Sequence, residues 1–233
     1  MLYHQVVFSY FTFNTVCELI CLIIALICLI KDKAVTWRNM ILFLFITCAA
    51  EMMGIYIKHL YLADRAHVHP NVWVYNILMV FQVIFPSVMF LAFFNKYFNG
   101  KPVIICGLAV LFATYAYEVF DHGLFKKHNV TTTIMSILFV GYSLYYFYCL
   151  LKDGAYIKLK FYPPFWWVAG ILFFYFGATA CNVFYAKLSA ITITPKHYLT
   201  YYIYNALNLI LYGCWSYSFI CRRWLTTTSK SLS

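Results

Sequence analysis

The run WVYNILMVFQVIFPSVMFLAFFNK, from Trp73 to Lys96, contains a single charged side chain, which is its last residue. An α-helix needs about 20 mainly apolar residues to cross the hydrocarbon core of a bilayer. No water is present there, so the backbone must satisfy its own hydrogen bonds, as a helix does within one segment. A barrel strand would have about ten residues of alternating polarity, and this run does not alternate. The sequence therefore predicts a transmembrane helix over 73–96.

Six further runs of the same kind occupy most of the remaining chain. Hydrophobic residues make up 64% of the protein and charged residues only 10%. A soluble domain is about 45–50% apolar and about 25% charged, so lipid must be the solvent for the outer helix faces. We predict an all-α polytopic membrane protein with seven transmembrane helices in a single domain over 1–233. The predicted spans are 6–30, 38–60, 73–96, 102–120, 132–151, 164–187 and 199–222.

The basic residues predict how the helices are oriented. Their excess gives a net charge of +10, but they are dispersed over every loop, which favours anionic lipid headgroups as partner over nucleic acid. Eleven of the 17 Lys and Arg residues follow predicted helices 1, 3, 5 and 7. Short cytoplasmic loops carry the excess of Lys and Arg, so we expect the N-terminus outside and the C-terminus in the cytoplasm. The six residues on the opposite side are Lys58, Arg65, Lys126, Lys127, Lys187 and Lys196.

An internal repeat relates the two ends of the chain. At a shift of 129 residues, predicted helices 2 and 3 align without a gap on helices 6 and 7. At a shift of 121, the segment Cys28–Ala34 aligns on Cys149–Ala155. The ten identical pairs at the first shift are Trp37/Trp166, Phe45/Phe174, Ala49/Ala178, Tyr56/Tyr185, Lys58/Lys187, Tyr75/Tyr204, Asn76/Asn205, Leu78/Leu207, Ser87/Ser216 and Phe90/Phe219.

These matches predict a 3+1+3 arrangement. Repeat unit one covers 6–98, a linker helix covers 102–120, and repeat unit two covers 131–224. A single linker helix gives both units the same orientation in the membrane, which is a parallel repeat. Chance similarity between aromatic-rich helices is the competing explanation, since Phe, Tyr and Trp make up 22% of the chain.

Polar residues at membrane depth are the candidates for a binding site. Glu18 and Glu51 lie near the centres of predicted helices 1 and 2, where a charge costs a few kcal/mol. Each is either a proton or cation site, or a protonated carboxyl that binds a neighbouring helix. Asn76 and Asn205 occupy equivalent repeat positions, so they either grip a polar ligand together or join helices. The other candidate ligand residues are Asn208, Asn182, Gln82, Tyr75 and Tyr204.

Histidines lie on the predicted outer side, where they suggest a metal site. His67 and His69 are two residues apart, and Asp121 directly precedes His122. Imidazole and carboxylate groups bind zinc, although these spacings match no specific metal pattern. The competing explanation is that they are simply interfacial residues of the outer loops. No cofactor is predicted, and predicted helix 7 has no lysine to hold retinal as a Schiff base.

Two resemblances bear on the architecture. The 3+1+3 plan is similar to that of SWEET sugar transporters and PnuC vitamin transporters. In SWEETs, an asparagine pair on helices 3 and 7 lines the substrate pocket, and Asn76 and Asn205 resemble that pair. The resemblance covers the helix arrangement and this one residue pair, and it implies a substrate pocket between the repeats.

The second resemblance is to a family of short, uncharacterised seven-helix membrane proteins of Bacteroidota. It implies a bacterial inner-membrane location and no particular activity. The segments that carry it are Glu51–Tyr56, Asn71–Asn76, Phe165–Gly170 with Phe174-Tyr175, and Asn205–Tyr212.

Three functions are compatible with the sequence. The leading hypothesis is a transporter or binder of a small polar solute, in a central cavity open to the outside and coupled to protons through Glu18 or Glu51. The second is a sensor that signals to a cytoplasmic partner through the basic tail Arg222-Arg223-Trp224. The third is a membrane metallohydrolase that uses the outer histidines. A homo-oligomer is compatible with each, and the chain has no GxSxG, P-loop or HExxH motif that would favour an enzyme.

Overall fold

The computed structural model describes residues 11–65, 67–153, 158–194 and 197–231, and almost all of them are helical. The long helices form because an apolar run can satisfy its backbone hydrogen bonds within a single segment only as a helix. They are α1 (Phe13–Leu29), α2 (Val35–Ala63), α3 (Val72–Phe94), α4 (Lys101–His122), α5 (Asn129–Lys152), α6 (Pro163–Val183) and α8 (Leu199–Ser231), with a short α7 (Tyr185–Ala190) and a 3₁₀ turn (Leu159–Phe161).

Five of these helices, α2 to α6, are long and apolar enough to cross a membrane. The predicted membrane-type helical architecture is therefore confirmed for this part of the chain. Helix α1 is apolar but only 17 residues long. Residues 6–10 of its predicted span lie outside the described residues, and so does the histidine at position 4. Helix α8 has 33 residues and continues past the predicted end of the span at 222.

A small β-ribbon interrupts the all-α pattern. Strand β1 (Thr192–Thr194) pairs antiparallel with strand β2 (His197–Tyr198) in the loop before α8. Threonine and isoleucine are β-branched and favour extended backbone, which explains why this loop forms strands. The sequence analysis did not predict the ribbon.

Contacts within the chain divide it into two compact units. Unit one comprises Met1–Leu22 and Lys33–Met135, and unit two comprises Ile23–Asp32 and Ser136–Ser233. These boundaries differ from the predicted repeat boundaries. The predicted linker helix, α4, belongs to unit one, and α1 is divided between the units.

In unit one, α2 packs against α3, and α3 packs against α4. Aromatic side chains form the contact between α2 and α3: the rings of Phe43 and Phe85 are 5.4 Å apart. The rings of Trp37 and Phe93 are 6.0 Å apart about two turns away, where α2 begins and α3 ends. Offset aromatic pairs at these separations add stability beyond the area they bury.

The start of α5 is held by a buried carboxylate on α4. Glu118 is 2% exposed and accepts hydrogen bonds from the backbone N–H groups of Val130 (3.0 Å) and Thr131 (2.8 Å). It also accepts from the hydroxyl of Thr131 at 2.7 Å. The first N–H groups of a helix have no partner within the helix, and a negative charge there interacts favourably with the helix dipole. Glu118 therefore fixes α4 to the first turn of α5.

In unit two, α6 packs closely against α8 because small residues allow the backbones to approach. A Cβ atom added to Gly170 would lie 3.0 Å from the Cβ of Cys214 and 3.2 Å from the carbonyl oxygen of Leu211. Beside this contact, the rings of Trp167 and Trp215 stack with centroids 5.7 Å apart. The indole N–H of Trp215 donates to the carbonyl of Trp167 at 3.2 Å.

We expect Gly170→Ala to destabilise the protein by roughly 1 kcal/mol. The added methyl group would crowd the Cβ of Cys214 and the carbonyl oxygen of Leu211, and atoms this close to the backbone of α8 cannot move away without shifting the helix. Gly141→Ala is the matched control, since a Cβ atom there meets nothing within 4 Å. An alanine in an open helical position favours the helix by up to about 1 kcal/mol. Thermal unfolding in detergent micelles should therefore give a lower midpoint for Gly170→Ala and an unchanged or higher midpoint for Gly141→Ala. Equal midpoints would contradict the close packing of α6 on α8.

We expect Glu118→Gln to destabilise the protein by about 1–2 kcal/mol, because three hydrogen bonds lose their charged acceptor. Asp121→Asn is the control on the same helix, since Asp121 is exposed and contacts the neighbouring His122. Removal of an exposed ion pair costs at most about 1 kcal/mol. Chemical denaturation in mixed micelles measures both variants. A Glu118→Gln protein as stable as Asp121→Asn would show that the carboxylate does not hold α5.

Candidate functional site

A carboxylate and a phenol meet between α2 and α3 in unit one. The hydroxyl of Tyr75 donates to the carboxylate of Glu51 at 3.1 Å, and both side chains are half-buried. Gly54, one turn after Glu51, makes room for the tyrosine: a Cβ atom there would lie 2.6 Å from the Tyr75 oxygen. Asn71 fixes the other side, since its amide donates to the carbonyl of Gly54 at 3.0 Å.

This arrangement has defined chemical uses. A carboxylate with a phenol donor can take up a proton, bind a cation, or accept hydrogen bonds from a polar solute. Glu51 is half-buried, so part of the residue lies at the surface of unit one. The sequence analysis identified Glu51 and Tyr75 separately, and the structure brings them together.

Asn76, in contrast, contributes to the fold of unit one. It is 2% exposed, and its amide nitrogen donates to the carbonyls of Leu124 at 2.7 Å and Lys126 at 2.8 Å. Its own backbone carbonyl accepts from the hydroxyl of Tyr115 at 3.2 Å. An amide nitrogen has two N–H donors, and both are used. Asn76 therefore holds the loop between α4 and α5 and has no amide donor left for a ligand.

Unit two contains a polar pair of similar design between α6 and α8. The hydroxyl of Tyr204 donates to the amide oxygen of Asn182 at 3.1 Å. Tyr204 aligns with Tyr75 at the shift of 129 residues. In each unit, the equivalent tyrosine donates to a polar side chain on the preceding long helix.

The remaining predicted ligand residues are distributed over both units. Glu18 is 6% exposed on the part of α1 that belongs to unit one, and Gln82 is half-buried on α3 in the same unit. Asn205 and Asn208 are half-buried on α8 in unit two. The predicted Asn76–Asn205 pair therefore has one member in each unit.

A small cavity lies between α3 and α4 in unit one. Its volume is about 10 Å³, which is the lower limit for one water molecule. None of the predicted ligand residues lines it, and most of its lining is apolar. The lining residues are Met79, Val80, Val83, Leu111, Phe112, Tyr115 and Thr131.

The histidines of the candidate metal site lie close to carboxylates. His67 lies 3.0 Å from Asp64, and His122 lies 2.8 Å from Asp121 and 3.9 Å from Glu118. The ring of His69 contacts that of Phe125 at 4.3 Å. Over the described residues, no three His, Cys, Asp or Glu side chains come together as a metal-binding group. The hypothesis of a metallohydrolase with His67, His69, Asp121 and His122 as ligands therefore gains no support from the geometry.

The structure contains an ion pair that was not predicted from the sequence. In unit two, the guanidinium of Arg222, on α8, donates to both carboxylate oxygens of Asp32, at 2.7 and 3.2 Å. The Asp32 side chain is 2% exposed and that of Arg222 is 28% exposed. Arg223 donates to the carbonyl of Ile27 at 3.1 Å. The two residues are separated by 190 positions, and a separation of that length gives no sequence signal for the pair.

This ion pair changes the interpretation of the basic tail. The sequence analysis treated Arg222-Arg223-Trp224 as a surface for a signalling partner. Arg222 is instead engaged by Asp32 in a bidentate pair, which is the strongest geometry for these groups. Trp224 is 64% exposed and stays on the surface.

The described residues define the class of protein. The chain is mainly helical, and five of its helices are long and apolar enough to cross a membrane. Comparison with protein-family models, with curated proteins and with solved structures found no match.

We expect Asp32→Asn and Arg222→Gln each to destabilise the protein by roughly 2–4 kcal/mol, because each leaves a desolvated charge without its partner. The double variant should lose less than the sum of the two, with a coupling of at least about 1 kcal/mol. Asp64→Asn is the control, since Asp64 pairs with His67 at an exposed site. Denaturation in detergent measures all four variants. Strictly additive losses would contradict a direct ion pair.

Proposed function

We propose that the chain is an integral membrane protein of seven transmembrane helices that binds and transports a small polar solute. In this proposal α1 and α8 are the first and last spans, beside the five helices that meet the length and hydropathy of a span. The excess of Lys and Arg after helices 1, 3, 5 and 7 supports an outside N-terminus and a cytoplasmic C-terminus. The identities between the two halves support a 3+1+3 parallel repeat.

The contact between Glu51 and Tyr75 carries the proposal. A half-buried carboxylate within a span is costly, so it is a functional site by default. Here the hydroxyl of Tyr75 donates to Glu51. Gly54 leaves space for the phenol ring, and Asn71 binds the carbonyl of Gly54. Glu51 takes up and releases the coupling proton. Tyr75 stabilises the carboxylate when the proton leaves, because a phenol donor favours the charged form.

The solute is held by amide and phenol groups. Asn182 and Tyr204 form one such pair, and Asn205 and Asn208 follow Tyr204 on α8. Amides and phenols both donate and accept hydrogen bonds, which suits an uncharged or zwitterionic solute. Asn76 is not part of this site, because its donors hold the loop after α4.

A receptor that signals to a cytoplasmic partner is the second candidate. Its support is the length of α8, which extends as one helix to Ser231, beyond the predicted end of the last span. The exposed Trp224 near that end offers an apolar contact for a partner.

Proton-coupled uptake tests the proposal directly. The protein is reconstituted in liposomes that contain a pH-sensitive dye, and amino acids, sugars and nucleosides are added in turn outside. We expect one class to acidify the interior, Glu51→Gln to abolish that signal, and Tyr75→Phe to slow it on the order of tenfold, the effect of about 1.4 kcal/mol. Tyr117→Phe, at a tyrosine 65% exposed on α4, is the matched control and should transport at the normal rate.

Two outcomes would contradict the proposal. If Glu51→Gln acidifies the liposomes as fast as the unmodified protein does, Glu51 does not couple the proton. If no class of solute is taken up but one raises the unfolding temperature of the purified protein, the chain binds without transporting. That second result would favour the receptor.

A further inference from the structure

The turn that precedes α6 has an unusual surface. Residues Leu159–Phe161 form one turn of 3₁₀ helix directly after Lys158. All four side chains are exposed, and they alternate between basic and apolar: Lys158, Leu159, Lys160 and Phe161. The two apolar members are each about 40% exposed. This pattern differs from that of a polar loop, in which apolar side chains are sparse.

The turn is fixed to the helices beside it. The carbonyl of Lys160 accepts from the indole N–H of Trp166 at 3.0 Å, and the thiol of Cys221, on α8, lies 3.8 Å from the same oxygen. One step further along, the hydroxyl of Ser218 donates to the carbonyl of Pro163 at 2.7 Å. Two side chains therefore contact the backbone of the turn and a third holds the first residue of α6, so the surface is preorganised.

Its location follows from the flanking helices. Both α5 and α6 are among the five helices that can cross a membrane, so a short segment between them lies at the membrane surface. Trp166, which binds the turn, belongs to an aromatic group. Its ring lies 5.0 Å from that of Tyr217 and 5.5 Å from that of Phe165. Tryptophan and tyrosine are enriched at the level of the lipid headgroups.

The charge of this surface is positive. Lys158 and Lys160 are exposed, and the ammonium group of Lys160 lies 5.5 Å from the centre of the Phe161 ring. The nearest acidic residue before the turn in the sequence is Asp153, which directly follows Lys152. On α8, Arg222 is neutralised by Asp32, so it adds little to this field.

We propose that residues Lys158–Phe161, together with Trp166, form a binding site for an anionic phospholipid. The two ammonium groups contact the headgroup phosphate, while Leu159 and Phe161 lie against the upper part of the acyl chains. Lysine side chains suit this role because their flexible stems extend along apolar surface while the charge stays in water. The indole of Trp166 occupies the interfacial layer and sets the depth of the turn.

An anionic lipid fits these observations better than a soluble partner does. Basic and apolar side chains alternate within a single turn, so a partner must offer negative charge and hydrocarbon within a few ångströms. A phospholipid offers both at the level where α5 ends and α6 begins. This site is independent of the solute site between the helices.

The site can be tested by measuring which phospholipid stays bound to the protein. The full-length protein is exchanged into mixed micelles with equal amounts of phosphatidylglycerol and phosphatidylcholine, and native mass spectrometry measures the lipids that stay bound. We expect phosphatidylglycerol to be enriched and Lys158→Gln with Lys160→Gln to reduce the enrichment at least on the order of tenfold, because both cations that attract the anionic headgroup are removed. Replacement of both lysines by arginine should retain it, because the charge remains.

Lys126→Gln with Lys127→Gln is the matched control, since both lysines are exposed, adjacent and located in another loop. It lowers the net charge by the same amount and should leave the enrichment unchanged. Equal losses in both glutamine variants would overturn the proposal, because net charge alone would then explain lipid retention. An unchanged enrichment in the Lys158/Lys160 glutamine variant, or a loss in the arginine variant, would also overturn it. Displacement of the lipid by excess inorganic phosphate would identify a simple anion site instead.

Discussion

A polar group that is buried away from water must find its partner within the protein, whether the surroundings are lipid or packed side chains. In unit one, this constraint explains why Asn76 donates to two loop carbonyls and why Glu118 accepts three hydrogen bonds at the start of α5. In unit two, it explains the burial of Asp32 against Arg222. Each of these side chains joins its own helix or loop to another segment of the chain. The polar residues of the core are therefore first of all the connections between helices.

The same constraint separates residues that complete the fold from residues that can perform chemistry. Asn76 and Glu118 are buried, and the hydrogen bonds they make hold the connection between α4 and α5. Glu51 and Tyr75 are half-buried and bind each other, so part of each residue stays at the surface of unit one. A polar residue at membrane depth is thus evidence for function only after its contacts within the fold are known. This difference moves the candidate site from Asn76 to its neighbour Tyr75.

The two tyrosines connect the repeat hypothesis to the contacts. Tyr75 and Tyr204 are equivalent at the shift of 129, and each hydroxyl donates to a polar side chain on the preceding long helix. The acceptors, Glu51 and Asn182, are not equivalent in that alignment. A duplicated helix pair that kept its donor and changed its acceptor would have one chargeable site and one neutral site. That difference suits a protein in which one half couples a proton and the other orients a solute.

The sequence by itself determined where the helices lie. Runs such as 73–96 are long and apolar, and their ends coincide within a few residues with those of α2 to α6, because helix formation in lipid is a local property of one segment. Only the tertiary structure decided which polar groups meet. The contact of Arg222 with Asp32 spans 190 residues, and both amide donors of Asn76 are used by a loop whose path no local pattern predicts. Hydrogen bonds and ion pairs depend on a few tenths of an ångström and on orientation, which packing sets and periodicity does not.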